Sequence, residues 1–355
     1  MTFEEVRATF PVLERKAYLN AGTFGPLARR TTDALLSEAE RDAREGRCGS
    51  PFFLGALELR EQVRAAIASL VEAEPGQVAL LASTTDACNR VVSGLGLQAG
   101  DEVVTTNEEH FGLLGPLGVS AATVVVVPAD AERVVAAVTP RTKLIALSGV
   151  LWTTGKILPA AEIRARTGVP ILVDGAQSVG AVPVSFPGVD FLTVSGQKWL
   201  CGPDSTGALV VADPERLRVT GPSYLAQASY EDDGTFVPRD GAVRFESNWW
   251  SVGVTRGLLA AITARPEWAF ARAAETAARC RELLGRHVEV VTPKPHATLV
   301  AFRPDGEEAG AVVERLRLRD VDVREIPRTG LVRASVGYWT SDGDLERLVE
   351  GVIDR

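Results

Sequence analysis

Three short stretches hold residue types that could work together. "VSGQKW", Val194–Trp199, sets one charged side chain, Lys198, in an otherwise small and apolar run that continues into Leu200. An unpaired buried ammonium is costly, so a lysine in such company needs a reason. "ILVDGAQ" closes an apolar run on Asp174 and presents Gln177 three residues later. "LASTTDACN" opens a helical pattern with Ser83, Thr84 and Thr85, hydroxyls beside the free N–H groups of a helix start, which suit a phosphate. Each has a plainer reading: a solvated loop lysine, a turn aspartate, a helix cap. Taken together on sequential strands, they offer an amine, a carboxylate, an amide and an anion cradle.

The elements that must position them follow from the pattern. "QVALLA", "DEVVTT", "ATVVVVPAD", "TKLIALSGV", "VPILVDG", "VDFLTVSG" and "GALVVAD" read as strands, several of them apolar throughout, as expected of strands covered on both faces. Helical patterns such as "DAERVVAAV" and "PAAEIRARTG" lie between them, which predicts an α/β domain with a mainly parallel sheet. Ligands of such sheets bind beyond the carboxyl ends of the strands, where Asp174, Lys198 and the Ser83–Thr85 turn all fall. From about Gly257 the chain turns alanine-rich and helical with a break near Pro266. "VEVVTP", "ATLVAFRP", a helix and "LVRASVGYW" follow, predicting a smaller α+β domain.

Pyridoxal phosphate is the chemistry that uses the whole set. It needs a lysine for a Schiff base, a carboxylate to keep its pyridine nitrogen protonated, and a phosphate anchor. A half-buried site would lower the lysine pKa, as a nucleophilic amine requires. Trp199 and Leu200 would then anchor the loop while Lys198 projects into the cleft.

On these motifs the sequence resembles the class V aminotransferases, fold-type I pyridoxal-phosphate enzymes that include cysteine desulfurases and isopenicillin N epimerase-like proteins. The likeness runs from "YLNAGTFGPL" to "RASVGYWTSDGDLERLV". It implies a large domain with a mainly parallel seven-stranded sheet over residues 21–256, a small domain over 257–355, and an N-terminal segment, 1–20, packed with the small domain. It implies Lys198 on the cofactor, Asp174 at the pyridine nitrogen and Gln177 at the ring hydroxyl. Thr84, Thr85, Ser195 and Gln197 would hold the phosphate. Gln197 replaces the family's usual histidine, which removes a titrating group. "NEEHFGLLGPL" matches the segment whose aromatic residue stacks on the cofactor; register points to Phe111, with His110 one step away and a core role for Phe111 as the alternative. Arg333 would take the substrate carboxylate, with Asn20 and Thr23 on the substrate side.

Three departures stand out. Trp152 occupies the place of a common asparagine. Trp249, in "RFESNWW", stands for a threonine that reaches the partner subunit's phosphate in a homodimer. "DVREIPRTGLVR" is short and lacks the cysteine that desulfurases carry before the carboxylate arginine. The expected reaction is therefore elimination or other lyase chemistry on an α-amino acid, possibly at a C–S bond, with transamination and epimerisation as alternatives. Cys201 reads as a small buried filler rather than a nucleophile.

Rival readings leave more unexplained. "AQSVG" nearly matches an α/β-hydrolase elbow, with Ser178 as nucleophile and His287 or His296 as base. A dinucleotide fingerprint at Gly94, Gly96 and Gly100 follows a helix rather than a strand, and "TTGKI" lacks the frame of a P-loop. A fold kept only for binding would be marked by loss of Lys198 or Asp174, and both are present. The 355 residues are 46% hydrophobic and 24% charged, with a net charge of -8, which argues against nucleic acid or an anionic membrane as the main partner. No secretory signal or membrane-length apolar run is seen, and Cys48, Cys88, Cys201 and Cys280 show no metal or redox spacing. The expectation is a metal-free cytoplasmic enzyme with free thiols, working as a homodimer.

Overall fold

The computed structural model describes residues 1–247 and 249–354. The apolar runs form the central sheet: β1 (Val78–Leu81), β2 (Glu102–Thr106), β3 (Thr123–Val127), β4 (Thr142–Ser148), β5 (Ile171–Asp174), β6 (Phe191–Ser195) and β7 (Gly207–Val211). Their order across the sheet is β1-β7-β6-β5-β4-β2-β3, and β7 alone runs antiparallel to its neighbours. This is the mainly parallel seven-stranded sheet expected of fold-type I.

Period-two alternation explains why these strands look apolar throughout. Ile171, Val173, Leu192 and Val194 join one core cluster, whereas Leu172 and Phe191 join the cluster on the other face. Each fully buried Leu or Phe contributes about 1.5–3 kcal/mol relative to exposure. The edge strand β3 is the exception, with exposed Val126.

A second sheet follows: β8 (Glu289–Val290), β9 (Leu299–Arg303), β10 (Arg324–Ile326) and β11 (Leu331–Ser335), in the order β8-β9-β11-β10 and antiparallel throughout. β10 lies in a stretch that reads as loop from sequence. The break near Pro266 separates helices Val252–Thr263 and Ala269–Leu284. The first of these spans residue 257, and its Leu258 is buried in the large-domain core. We therefore propose that the domains divide after Thr263. The first twenty residues keep company with the small domain: Ala17 and Leu19 share its core, and Ala17–Tyr18 pairs in parallel with Val321–Asp322.

Candidate active site

The carboxyl edge of the sheet gathers the expected residues. Asp174 ends β5 at 4% exposure. Its Oδ1 accepts from the Ala176 N–H at 2.9 Å and from Thr193 Oγ1 at 3.1 Å. Lys198 sits in the turn after β6, half-buried, and its Nζ has no hydrogen-bond or ion-pair partner among the described residues. Burial is the main force holding its pKa below the usual lysine range. The guanidiniums of Arg333 and Arg324 push the same way, and Asp174 opposes them. An uncompensated amine facing a buried carboxylate is what a Schiff-base lysine requires.

The lysine turn is pinned from two sides. Trp199 is buried, and its indole N–H donates to Gln177 Oε1 at 2.9 Å. Gln177 Nε2 donates to the Gly22 carbonyl at 2.8 Å. The amide expected at a cofactor hydroxyl is thus engaged at both ends, with one N–H left to give. The N-terminal segment touches the turn directly: Gly25 N–H donates to the Gln197 carbonyl at 2.8 Å. A Cβ on Gly25 would lie 2.0 Å from the Lys198 carbonyl oxygen, so only glycine fits there.

The helix Thr84–Leu95 starts beside this turn. Ser83 caps it by accepting from the Asp86 N–H, and the first-turn N–H groups of Thr84 and Thr85 are left without helical acceptors. At the end of β6, Ser195 Oγ donates to Gln197 Oε1 at 3.2 Å, pairing two of the residues expected at the phosphate.

Both residues weighed for the ring-stacking place, Phe111 and His110, are exposed in this chain. Phe111 is 78% exposed and lies over Gly115 of its own helix. Partial burial of the His110 ring, then Lys198, hold its pKa down, while Asp174 opposes. Its Nδ1 accepts from the Gly112 N–H at 3.1 Å, and its ring meets Trp152 edge-on at 5.3 Å.

Glu109, which sequence reasoning missed, holds this turn to the sheet. It accepts from Thr106 Oγ1 at 2.6 Å and from the Ser148 N–H at 2.9 Å, and Ser148 is the β-ladder partner of Asp174. Burial raises its pKa to about 7 against these hydrogen bonds, with Asp174 adding to the rise.

Arg333, in β11, is 1% exposed. Its Nη1 donates to the Trp152 carbonyl at 2.6 Å, and its Nε is buried without a partner. Burial, then Arg324, push its pKa down to about 9, so it stays charged at neutral pH. Asn20 Oδ1 accepts from Thr23 Oγ1 at 2.8 Å, and Thr23 Oγ1 in turn accepts from Arg324 Nη1 at 3.2 Å. Arg324, like Glu109, went unread in the sequence; a signal lay in its spacing from Arg333 across a Gly-containing turn.

Trp249 packs against an aromatic residue of its own chain. It is 43% exposed and stacks on Phe53, ring centroids 5.6 Å apart and planes 5° from parallel. Glu246, three residues earlier, anchors this segment through buried ion pairs to Arg60 and Arg64.

The hydrolase reading finds no support in the geometry. Ser178 lacks the positive φ of a strained elbow, and its Oγ donates to the Gly175 carbonyl at 3.4 Å rather than to a histidine. His296 Nδ1 is paired with the Ala297 carbonyl.

The aminotransferase class-V family model matches residues 45–348. The chain belongs to the aminotransferase class-V family. This is a family of pyridoxal-phosphate-dependent enzymes. Isopenicillin N epimerase of Streptomyces clavuligerus is 29% identical over 99% of this chain and 97% of its own. A probable cysteine desulfurase of Methanothermobacter thermautotrophicus is 30% identical over 74% of this chain and 70% of its own. Among solved structures, the cystine C-S lyase C-DES in complex with its reaction product cysteine persulfide superposes with a TM-score of 0.90. It is 27% identical over 97% of this chain and 99% of that one. No described helix of this class-V protein is long and apolar enough to cross a membrane.

Proposed function

We propose that this class-V protein is a pyridoxal-phosphate-dependent lyase that acts on an α-amino acid without a persulfide-forming cysteine. The residues fit the cofactor: an unpartnered amine at Lys198, a buried carboxylate at Asp174, and a helix start with free N–H groups at Thr84 and Thr85. When bound, the cofactor supplies an electron sink for the charge that develops as a bond to the substrate Cα breaks. Asp174 would hold the proton on the pyridine nitrogen. Lys198 would anchor the cofactor and carry the proton at Cα, and His110 would cover the ring. Thr84, Thr85, Ser195 and Gln197 would hold the phosphate, and Arg333 would take the α-carboxylate.

One observation carries the choice of lyase. The turn between β10 and β11, Pro327–Gly330, has no cysteine, and the nearest candidate is disabled by its surroundings. Cys201 is 3% exposed, and burial pushes its thiol up to about 12, with Arg265 opposing weakly. Such a thiol is protonated and inert. Likeness to a cystine C-S lyase supports the same reading. Product analysis over a panel of amino acids tests it, scoring keto acid, sulfide and amine. Keto acid release from a sulfur amino acid is expected to survive both thiol alkylation and Cys201→Ala within about twofold. A persulfide trapped on Cys201, with an inactive alanine variant, would restore the desulfurase assignment.

Likeness to isopenicillin N epimerases over nearly the full chain favours epimerisation as the second reading. Inversion at Cα without keto acid release would select it.

We also infer a homodimer. Trp249 and Phe53 form an exposed aromatic stack, and Phe24 and Leu27 are exposed close to the lysine turn. A twofold pair would cover such surface and bring Trp249 to the other subunit's site. Sedimentation at micromolar concentration is expected to give a dimer, with Trp249→Ala raising the dissociation constant. A stable, active monomer would remove both the dimer and the role of Trp249.

A further inference from the structure

Arg324 and Arg333 stand directly opposite each other on β10 and β11. Residues so paired share one face of the sheet with Cα atoms about 4.5–5.5 Å apart, and like charges placed there repel. The neighbouring acid gives no relief: Glu325 lies on the other face, where its Oε2 would sit 3.1 Å from a Cβ on Gly310. No described carboxylate forms an ion pair with either arginine; their hydrogen bonds go to Thr23 Oγ1 and to the Trp152 carbonyl. Both cations converge on the N-terminal segment that closes the cleft: Arg333 Nη2 would lie 2.7 Å from a Cβ on Gly22, whose carbonyl accepts from Gln177, and Arg324 reaches Thr23 next to it. Asp174 is the acid that opposes them there.

The charges in this cleft do not balance with an ordinary amino acid. The phosphate has its own seat at the helix start and at Ser195 and Gln197. One α-carboxylate satisfies one guanidinium, and Arg333, the more deeply buried, is the better placed to take it. Arg324 is left with a hydroxyl. That hydroxyl is itself oriented: Thr23 spends its proton on Asn20 Oδ1 and so offers a lone pair to Arg324. A guanidinium held at a substrate cleft without a counter-ion is a preformed carboxylate site.

We propose that the substrate is an amino acid with a second carboxylate, and that Arg324 is its anchor, positioned by Thr23 and Asn20. This inference rests on the functional reading above and names the substrate class for the same site.

The test titrates the holoenzyme and reads the visible absorption of the cofactor. L-aspartate, L-glutamate, L-2-aminoadipate and L-2-aminopimelate are each compared with the neutral amino acid that carries a methyl group in place of the distal carboxylate. At least one diacid is expected to bind about tenfold or more tighter than its neutral partner, the worth of one charge-assisted hydrogen bond. In Arg324→Met that ratio is expected to fall to within about twofold of unity, and in Arg324→Lys to stay between the two. No diacid preference in the wild-type enzyme would overturn the inference, whatever the variants do. A preference that persists in Arg324→Met would overturn it too. Lack of a visible cofactor band would instead overturn the functional reading, and this inference with it; a band without diacid preference overturns the inference alone.

Discussion

Replacing Lys198 by alanine is expected to abolish covalent attachment of the cofactor and to lower turnover by on the order of 10⁴, the upper range for loss of a positioned proton carrier. The amine has no other partner in the fold, so its removal breaks no hydrogen bond or ion pair among the described residues. The backbone of the turn is held independently, by Gly25 against Gln197 and Lys198 and by Trp199 on Gln177. The variant should therefore fold, and the defect should be chemical. Borohydride reduction of the wild-type enzyme, followed by mass analysis, is expected to place the cofactor on the peptide containing residue 198. An unchanged visible spectrum and unchanged adduct mass in Lys198→Ala would sink the assignment.

Asp174→Ala is expected to bind cofactor yet lose at least about a hundredfold in turnover with cofactor saturating, or about 2.7 kcal/mol of barrier. The carboxylate accepts two hydrogen bonds on Oδ1, from Ala176 and Thr193, so part of any loss could come from a slackened strand end. Asp174→Asn separates the two effects. Its amide oxygen keeps both bonds while the charge is gone, and the same loss is expected. Activity of either variant within about tenfold of wild type would refute a role for Asp174 at the ring nitrogen.

The sheet was legible because strands covered on both faces cannot hide: "ILVD" and "FLTVS" are buried at every position, and the apolar runs ended where their composition said. Lys198 and Asp174 were legible for the opposite reason, as polar exceptions in apolar surroundings. What sequence missed depended on partners distant along the chain. Arg324 reads as one more charge in a polar loop; only the register across the Pro327–Gly330 turn sets it against Arg333. Gln177 looks free until the fold brings up Gly22, 155 residues away, and Trp199. Motif register favoured Phe111 over His110, and the fold leaves both residues exposed at the helix start, so pattern alone does not choose between the two rings. The division of the domains is hard to read because the alanine-rich run is continuous in pattern, while Leu258 packs into the larger core.

The pairing of Ala17–Tyr18 with Val321–Asp322 has a consequence for biosynthesis. At ordinary rates of about 5–20 residues per second, the ribosome needs on the order of tens of seconds to make the strand that receives the N-terminal one. The large sheet can form meanwhile from its own residues. The N-terminal segment cannot: its backbone donors at Ala17 and Leu19 wait for the carbonyls of Asp320 and Asp322. Gly22, Thr23 and Gly25 travel with it. The lysine turn, the amide of Gln177 and the Arg324 seat therefore close only after residues 320–322 have been made. Until then the nascent enzyme presents an open cleft and an unpaired strand, which makes this interval the one in which a chaperone would matter most.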